Sequence, residues 1–174
     1  MPHLLIINRI GMRKLLVVSL LGLVLSSCLN KAQSDYTPLI YVSEFVRLDS
    51  IKNDTLRIRQ SDEGQWRLDS LAVNDTLLFA AGFDAVWNNL QSVRLLWDTS
   101  EISVWVNDLG DIAPVLLDSS DTLTCRFEFP VGYNFVSLPF VCSPKKTGKT
   151  TIRFHLETDS KFSPVDEDLY CVTY

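Results

Sequence analysis

Between residues 122 and 157 apolar and polar positions alternate with a period of two. Leu123, Cys125, Phe127 and Phe129 are separated by Thr124, Arg126 and Glu128. Ile152, Phe154 and Leu156 are separated by Arg153 and His155, with Glu157 following. Strict alternation predicts strands with one buried and one wet face. The stretch 135–142 between them is apolar at most positions, as in a central strand covered on both faces. The links Pro130-Val131-Gly132 and 143–148 are short enough for hairpins. The three segments are therefore predicted to form an antiparallel meander, with Phe129 facing Asn134 and Cys125 opposing Leu138. Pro139 lacks an N–H, so it predicts a bulge or an early strand end.

Similar runs of β-branched and aromatic residues predict strands near 39–48, 55–59, 77–81, 91–97, 102–106 and 169–173. No amphipathic helix of convincing length interrupts them. Many short strands between polar turns predict an all-β sandwich or barrel. Leu48-Asp49-Ser50, Leu68-Asp69-Ser70 and Leu117-Asp118-Ser119 each precede an Asp-Thr-Leu triplet, at 54–56, 75–77 and 121–123. The copies are unequally spaced, which excludes a solenoid period. They read as repeated turn chemistry, with Asp opening a turn and Thr starting the next strand.

The N-terminal region has a different pattern. Arg13 and Lys14 precede an apolar run from Leu15 to Leu25, followed by Ser26-Ser27-Cys28. The run falls short of the roughly 20 apolar residues a membrane span needs. Basic residues, a short apolar core and a small-residue site make a signal peptide. The Leu-Ser-Ser-Cys end resembles the lipobox of bacterial lipoproteins. That resemblance implies that residues 1–27 are removed and that Cys28 carries acyl chains. Residues 28–35 then form a tether, and 36–174 form a single β-sandwich domain. Several chains are implied, because one acyl chain holds a protein only marginally. The implied location is the cell envelope at the outer membrane. Asp35 is the one acid soon after Cys28, so the periplasmic face and the cell surface both stay open. Translation from Met12 instead of Met1 would put the charge directly before the apolar core.

Loss of residues 1–27 leaves 147 of the 174 residues, enough for one domain with a real core. It removes Arg9, Arg13 and Lys14 and no acid, so the formal charge moves from −5 to −8. An acidic domain repels phosphate backbones, and nucleic acid is not an expected partner.

Catalytic equipment is sparse. His155 is the one histidine left after residue 28, and no Gly-x-Ser-x-Gly turn accompanies it. It is read as a surface histidine, and the protein as a non-enzyme without cofactors. His and Cys lack metal-ligand spacing. Residues 107–111 and 166–168 carry oxygens that a calcium ion could use, but neither matches an EF-hand, and both read as turns. Trp105 is the sharper candidate. Its parity opposes that of Ile102, Val104 and Val106, which places it beside Ser103 and Asn107 on a polar face. A flat aromatic among polar groups suits sugar stacking or a protein hot spot. Trp87, next to Asn88 and Asn89, could join it, whereas Trp97 shares the parity of Val93 and Leu95 and is expected in the core. Cysteines 125, 142 and 171 are an odd set. Cys125 is expected as a buried thiol, and Cys142–Cys171 is the better pair for a bridge.

The combination resembles small lipoproteins of Bacteroidetes with an immunoglobulin-like sandwich. The residues that carry it are the lipobox, Val73-Asn74-Asp75-Thr76-Leu77 running to Asn88-Asn89-Leu90, and Gly148-Lys149-Thr150-Thr151-Ile152-Arg153-Phe154. It implies an envelope lipoprotein held to the membrane by its lipid, and so a location more than a chemistry. The function expected is non-catalytic binding of a protein partner or a glycan through an exposed sandwich face. The alternative is an accessory subunit of a pilus-like or nutrient-uptake assembly.

Overall fold

The computed structural model describes residues 36–48, 54–60 and 65–174. The segments expected to be a signal peptide (1–27) and a tether (28–35, with Cys28) lie outside the described residues. Strands β1 (Leu39–Val42), β2 (Phe45–Arg47), β3 (Asp54–Leu56), β4 (Arg59–Gln60), β5 (Trp66–Leu71) and β6 (Leu77–Asp84) come first. They are followed by β7 (Leu90–Trp97), β8 (Ile102–Val106), a 3-10 segment at Gly110–Val115, β9 (Arg126–Glu128), β10 (Phe135–Pro144), β11 (Gly148–Thr158) and β12 (Val165–Thr173).

The fold is the expected all-β sandwich, built among the described residues from two six-stranded sheets. The first runs β3-β2-β6-β10-β8, with β1 also on β6, and the second runs β4-β5-β12-β11-β7-β9. All pairs are antiparallel except β12 with β5, which is parallel. The core holds five fully buried phenylalanines, 45, 83, 127, 140 and 154. Phe79 links both sheets, stacking on Phe45 at 4.4 Å and meeting Phe154 edge-on at 6.3 Å. Such pairs add about 0.5–1.5 kcal/mol each beyond area burial.

The predicted C-terminal meander is not formed. β9 pairs with β7 in the second sheet, β10 lies between β6 and β8 in the first, and β11 lies between β12 and β7 in the second. Each short link crosses between sheets instead of turning a hairpin. Phe129 bonds to Gln91 and Asn134 to Ala85, so Phe129 does not face Asn134, and Cys125 does not oppose Leu138. Alternation reports which side chains point inward, and both sheets of a sandwich point them at the same core.

Residues 122–125 are not strand. The Asp121 carboxylate accepts hydrogen bonds from the Leu123 N–H and the Thr124 hydroxyl, and Asp121 and Arg126 exchange backbone bonds across a tight turn. Cys125 reaches the core from this turn at a φ of 49°, and Leu123 stands 87 % exposed at its tip. Residues 39–48 are two strands. Ser43 separates them and supplies a hydroxyl to the Ala80 N–H where the ladder breaks.

Pro139 is placed without a bulge. It pairs with Ala80 on β6, and its carbonyl accepts from the Asn107 N–H just past the end of β8. Its missing N–H therefore falls on the last rung beside β8, where one donor is lost and the strand continues. β10 is central but not covered by a layer on both faces. Its outer face carries exposed Phe135 and Ser137, and only Val141 there is buried.

Candidate functional site

The outer faces of the two sheets differ in chemistry. On the second sheet, charges stand opposite each other in register. Arg153 meets Asp168 through two nitrogens at 2.7 and 2.9 Å. His155 sits between Asp166, at 2.6 Å from Nδ1, and Glu157, at 3.3 Å from Nε2. Arg94 approaches Glu157, and Arg126 pairs with Glu128 at 2.8 Å. The Arg153 hydrogen bonds hold the Asp168 carboxyl below its usual range. A hydrogen bond from Ser92, then His155, does the same for Glu157. Both ring nitrogens of His155 thus face carboxylates, and the Ser92 hydroxyl donates to Glu157. This is an ion-pair lattice without the base-to-nucleophile contact of a hydrolytic triad.

The outer face of the first sheet carries apolar side chains instead. Trp105 on β8 pairs with Val141 on β10, Val141 with Leu78 on β6, and Leu78 with Val46 on β2. These four form one row across the sheet. Trp105 is 41 % exposed, and Asn107, two residues along, is exposed on the same face. The sequence pair Trp105 and Asn107 is therefore brought together.

Trp87 does not join them. The Trp105 row crosses β6 at Leu78, and Trp87 lies beyond Asp84 at the strand's other end. At 3.3 Å per residue the separation is about 20 Å or more. Trp87 belongs to a separate cluster of loops at one end of the sandwich, where it is 77 % exposed. Sequence reasoning missed this cluster because its residues come from four distant segments. Asn89 joins three of them. Its N–H and side-chain amide donate to Asp159, and its side-chain oxygen accepts from the Gly132 N–H at 3.0 Å. The fourth segment is held by Ser160, whose hydroxyl donates to the Tyr36 carbonyl. Val86, just before Trp87, has a φ of 59°. That is costly for a β-branched residue. Its N–H bonds to Asp84 and its carbonyl to Asn134, which hold the strained turn.

Among the described residues Cys125, Cys142 and Cys171 are buried free thiols, so the Cys142–Cys171 bridge is not present in this structure. Both nonetheless point into the core from opposite sheets. Burial, and secondarily Cys171, raises Cys142 well above the ordinary thiol range, and burial pushes Cys171 up to about 12. Trp97 is partly buried against the core, as its parity implied. Of the candidate calcium loops, Asp108 accepts from the Gly110 N–H in its own turn, while Asp166 and Asp168 serve the ion-pair lattice. Among the described residues no group of three or more His, Cys, Asp or Glu side chains could hold a metal.

No family model and no curated protein matches the chain. Among solved structures it is similar to the C-terminal domain of the Streptococcus pyogenes antigen I/II-family protein AspA, at 14 % identity and a TM-score of 0.39. That match covers 80 % of this chain and 47 % of the other. A chain described as "BspA_C_mut" matches at 11 % identity and a TM-score of 0.37, covering 79 % of this chain and 47 % of that one. The chain thus spans about half the length of these two solved chains.

Proposed function

We propose that this chain is a non-catalytic binding module of the bacterial cell envelope, anchored by acyl chains on Cys28. In this reading it takes a protein partner or a glycan on the outer face of its first sheet. The observation that carries it is Trp105, exposed at the end of the row Trp105–Val141–Leu78–Val46, in which Val141 is buried and Leu78 and Val46 are half-buried. The other outer face is mostly charged and paired, around one exposed Leu96. Exposed aromatics on such strips supply contact area at low entropic cost. Among the described residues no helix is long and apolar enough to cross a membrane. Attachment at Cys28 is proposed from the likeness of Leu25-Ser26-Ser27-Cys28 to a lipobox.

Two measurements test this. Cys28→Ser is expected to lose labelling by a fatty-acid analogue and to leave the membrane fraction. Trp105→Ala is expected to abolish binding on a glycan array, or photocrosslinking to a partner in native membranes, with an unchanged melting temperature. Binding that survives Trp105→Ala would rule out this face.

The β8 edge favours a second reading, an accessory subunit that assembles by strand addition. β8 ends the first sheet, and its sequence Ile-Ser-Val-Trp-Val is uncharged. Asn107 bonds to β10, so Val104 and Val106 turn their backbone groups to the open side. An unpaired edge of this kind templates another strand. Replacing Val104 by Pro would block that mode and leave the Trp105 ring in place.

A further inference from the structure

The two ends of the sandwich differ in chemistry. At one end lie the loops 72–76, 98–101 and 145–147, where Asp75, Asp98, Glu101, Lys145 and Lys146 make a mostly charged surface beside exposed Leu48 and Tyr174. At the other end lie residues 36–38 and the loops 85–89, 129–134 and 159–164. Their exposed side chains include Tyr36, Trp87, Val131, Tyr133 and Phe162. Leu39, Tyr41 and Phe135 extend this surface along the edge of the first sheet, with the Phe135 ring lying over Gly82 beside Tyr41. The acids at this end are turned into the loops. Asp84 accepts from the Val86 N–H, and Asp159 accepts from Asn89. Exposed Lys161 has its ammonium 5.1 Å from the centre of the Phe162 ring.

We propose that this loop end is seated in the headgroup layer of a lipid bilayer, with Trp87, Val131 and Phe162 as the inserting side chains. Two observations select a bilayer as the occupant. The first is where the chain enters. β1 starts at Leu39, opposite Asp84, and Tyr36 is held to the 159–164 loop, so the N-terminal connection leaves from this end. Tyr36 lies eight positions after Cys28, a reach of at most about 28 Å. An anchor at Cys28 therefore brings this end, and not the polar one, to the membrane. The second is composition. Amphipathic Trp and Tyr rings, apolar tips and an exposed lysine beside an aromatic ring are the groups that settle at a bilayer interface. The Asn89 and Ser160 hydrogen bonds hold these side chains in one surface before contact, which lowers the ordering cost of docking. Seating at this end would stand the sandwich on the membrane with the Trp105 row on its flank, open to a partner.

The inference rests on the lipid anchor proposed above, and the experiment separates the two. The full-length acylated protein, purified from membranes, is reconstituted into phosphatidylethanolamine–phosphatidylglycerol vesicles carrying nitroxide lipid labelled near the headgroup. Tryptophan emission is expected to be quenched by the nitroxide, and Trp87→Phe is expected to remove most of that quenching. Trp87 is also expected to be shielded from aqueous iodide in vesicles and to become accessible in detergent-free Cys28→Ser protein. Circular dichroism of the Trp87→Phe variant checks that the fold is intact. Protein that floats with the vesicles while Trp87 stays open to iodide would overturn the seating and leave the anchor standing; a protein or glycan occupant of this end gives that result. Protein that neither floats nor takes a fatty-acid label would overturn the anchor, and the seating falls with it.

Discussion

Asn89 and Asp159, seventy residues apart, are joined twice: backbone N–H to Oδ1 at 2.6 Å and side-chain amide to Oδ2 at 2.5 Å. Asn89 also accepts from Gly132, so one side chain fixes three loops. Replacing it with Ala leaves the Asp159 carboxylate one donor short and the Gly132 N–H unpaired. A loss of about 1–3 kcal/mol in urea unfolding is expected. Hydrogen exchange should quicken in 85–89, 130–134 and 159–164 and stay slow in β6 and β11. Equal acceleration everywhere would show that Asn89 supports the whole fold and not the loop end.

The residues of 122–129 allow a sharp comparison. Phe127 is fully buried and meets Phe140 at 6.3 Å between centroids, and Phe154 lies between Phe79 and Phe83. Phe127→Ala and Phe154→Ala should each cost about 3–5 kcal/mol. Leu123→Ala should change stability by less than about 0.5 kcal/mol, because its side chain is in water. A large loss at Leu123 would restore the extended strand that the alternation suggested.

That contrast shows what the sequence made legible. Period-two patterning located the inward sets of β7, β8 and β11 and the opposite parity of Trp105. It could not assign a strand to one sheet or the other, because Phe127, Phe140 and Phe154 all point at the same core from different sheets. Nor could it see the turn at 122–125, where hydrogen bonds to the Asp121 side chain override an apolar-polar alternation. β5 was invisible because its period breaks. Ser70 has a φ of 69°, so Leu68 and Leu71 both reach the core, three residues apart. The loop end gave no signal, since its partners are separated by up to 124 positions.

The three buried thiols give a chemical test. Burial pushes Cys125 and Cys171 up to about 12 and Cys142 well above its ordinary value. The thiolate is the reactive form, so native protein should not react with a disulfide reagent at pH 8. After unfolding, Cys125, Cys142 and Cys171 should all titrate. Recovery of Cys125 alone, with the other two released only by a reductant, would show a Cys142–Cys171 bridge in the native protein.

Acid should weaken the fold through the second sheet's lattice. Two hydrogen bonds from Arg153 depress the Asp168 carboxyl, and Ser92, then His155, depress Glu157. A carboxyl whose folded-state value lies below its unfolded one stabilises the fold above the unfolded value, near 4. That contribution is lost as pH falls through the folded-state values. Urea midpoints should therefore drop below about pH 4 in the wild type. Asp168→Asn should be less stable at pH 7, where it lacks the charged partner of Arg153, and should lose less on acidification. The two proteins should converge as the wild-type carboxyl protonates. A gap that is the same at pH 3 and pH 7 would mean that the charge on Asp168 contributes nothing and that its packing alone matters.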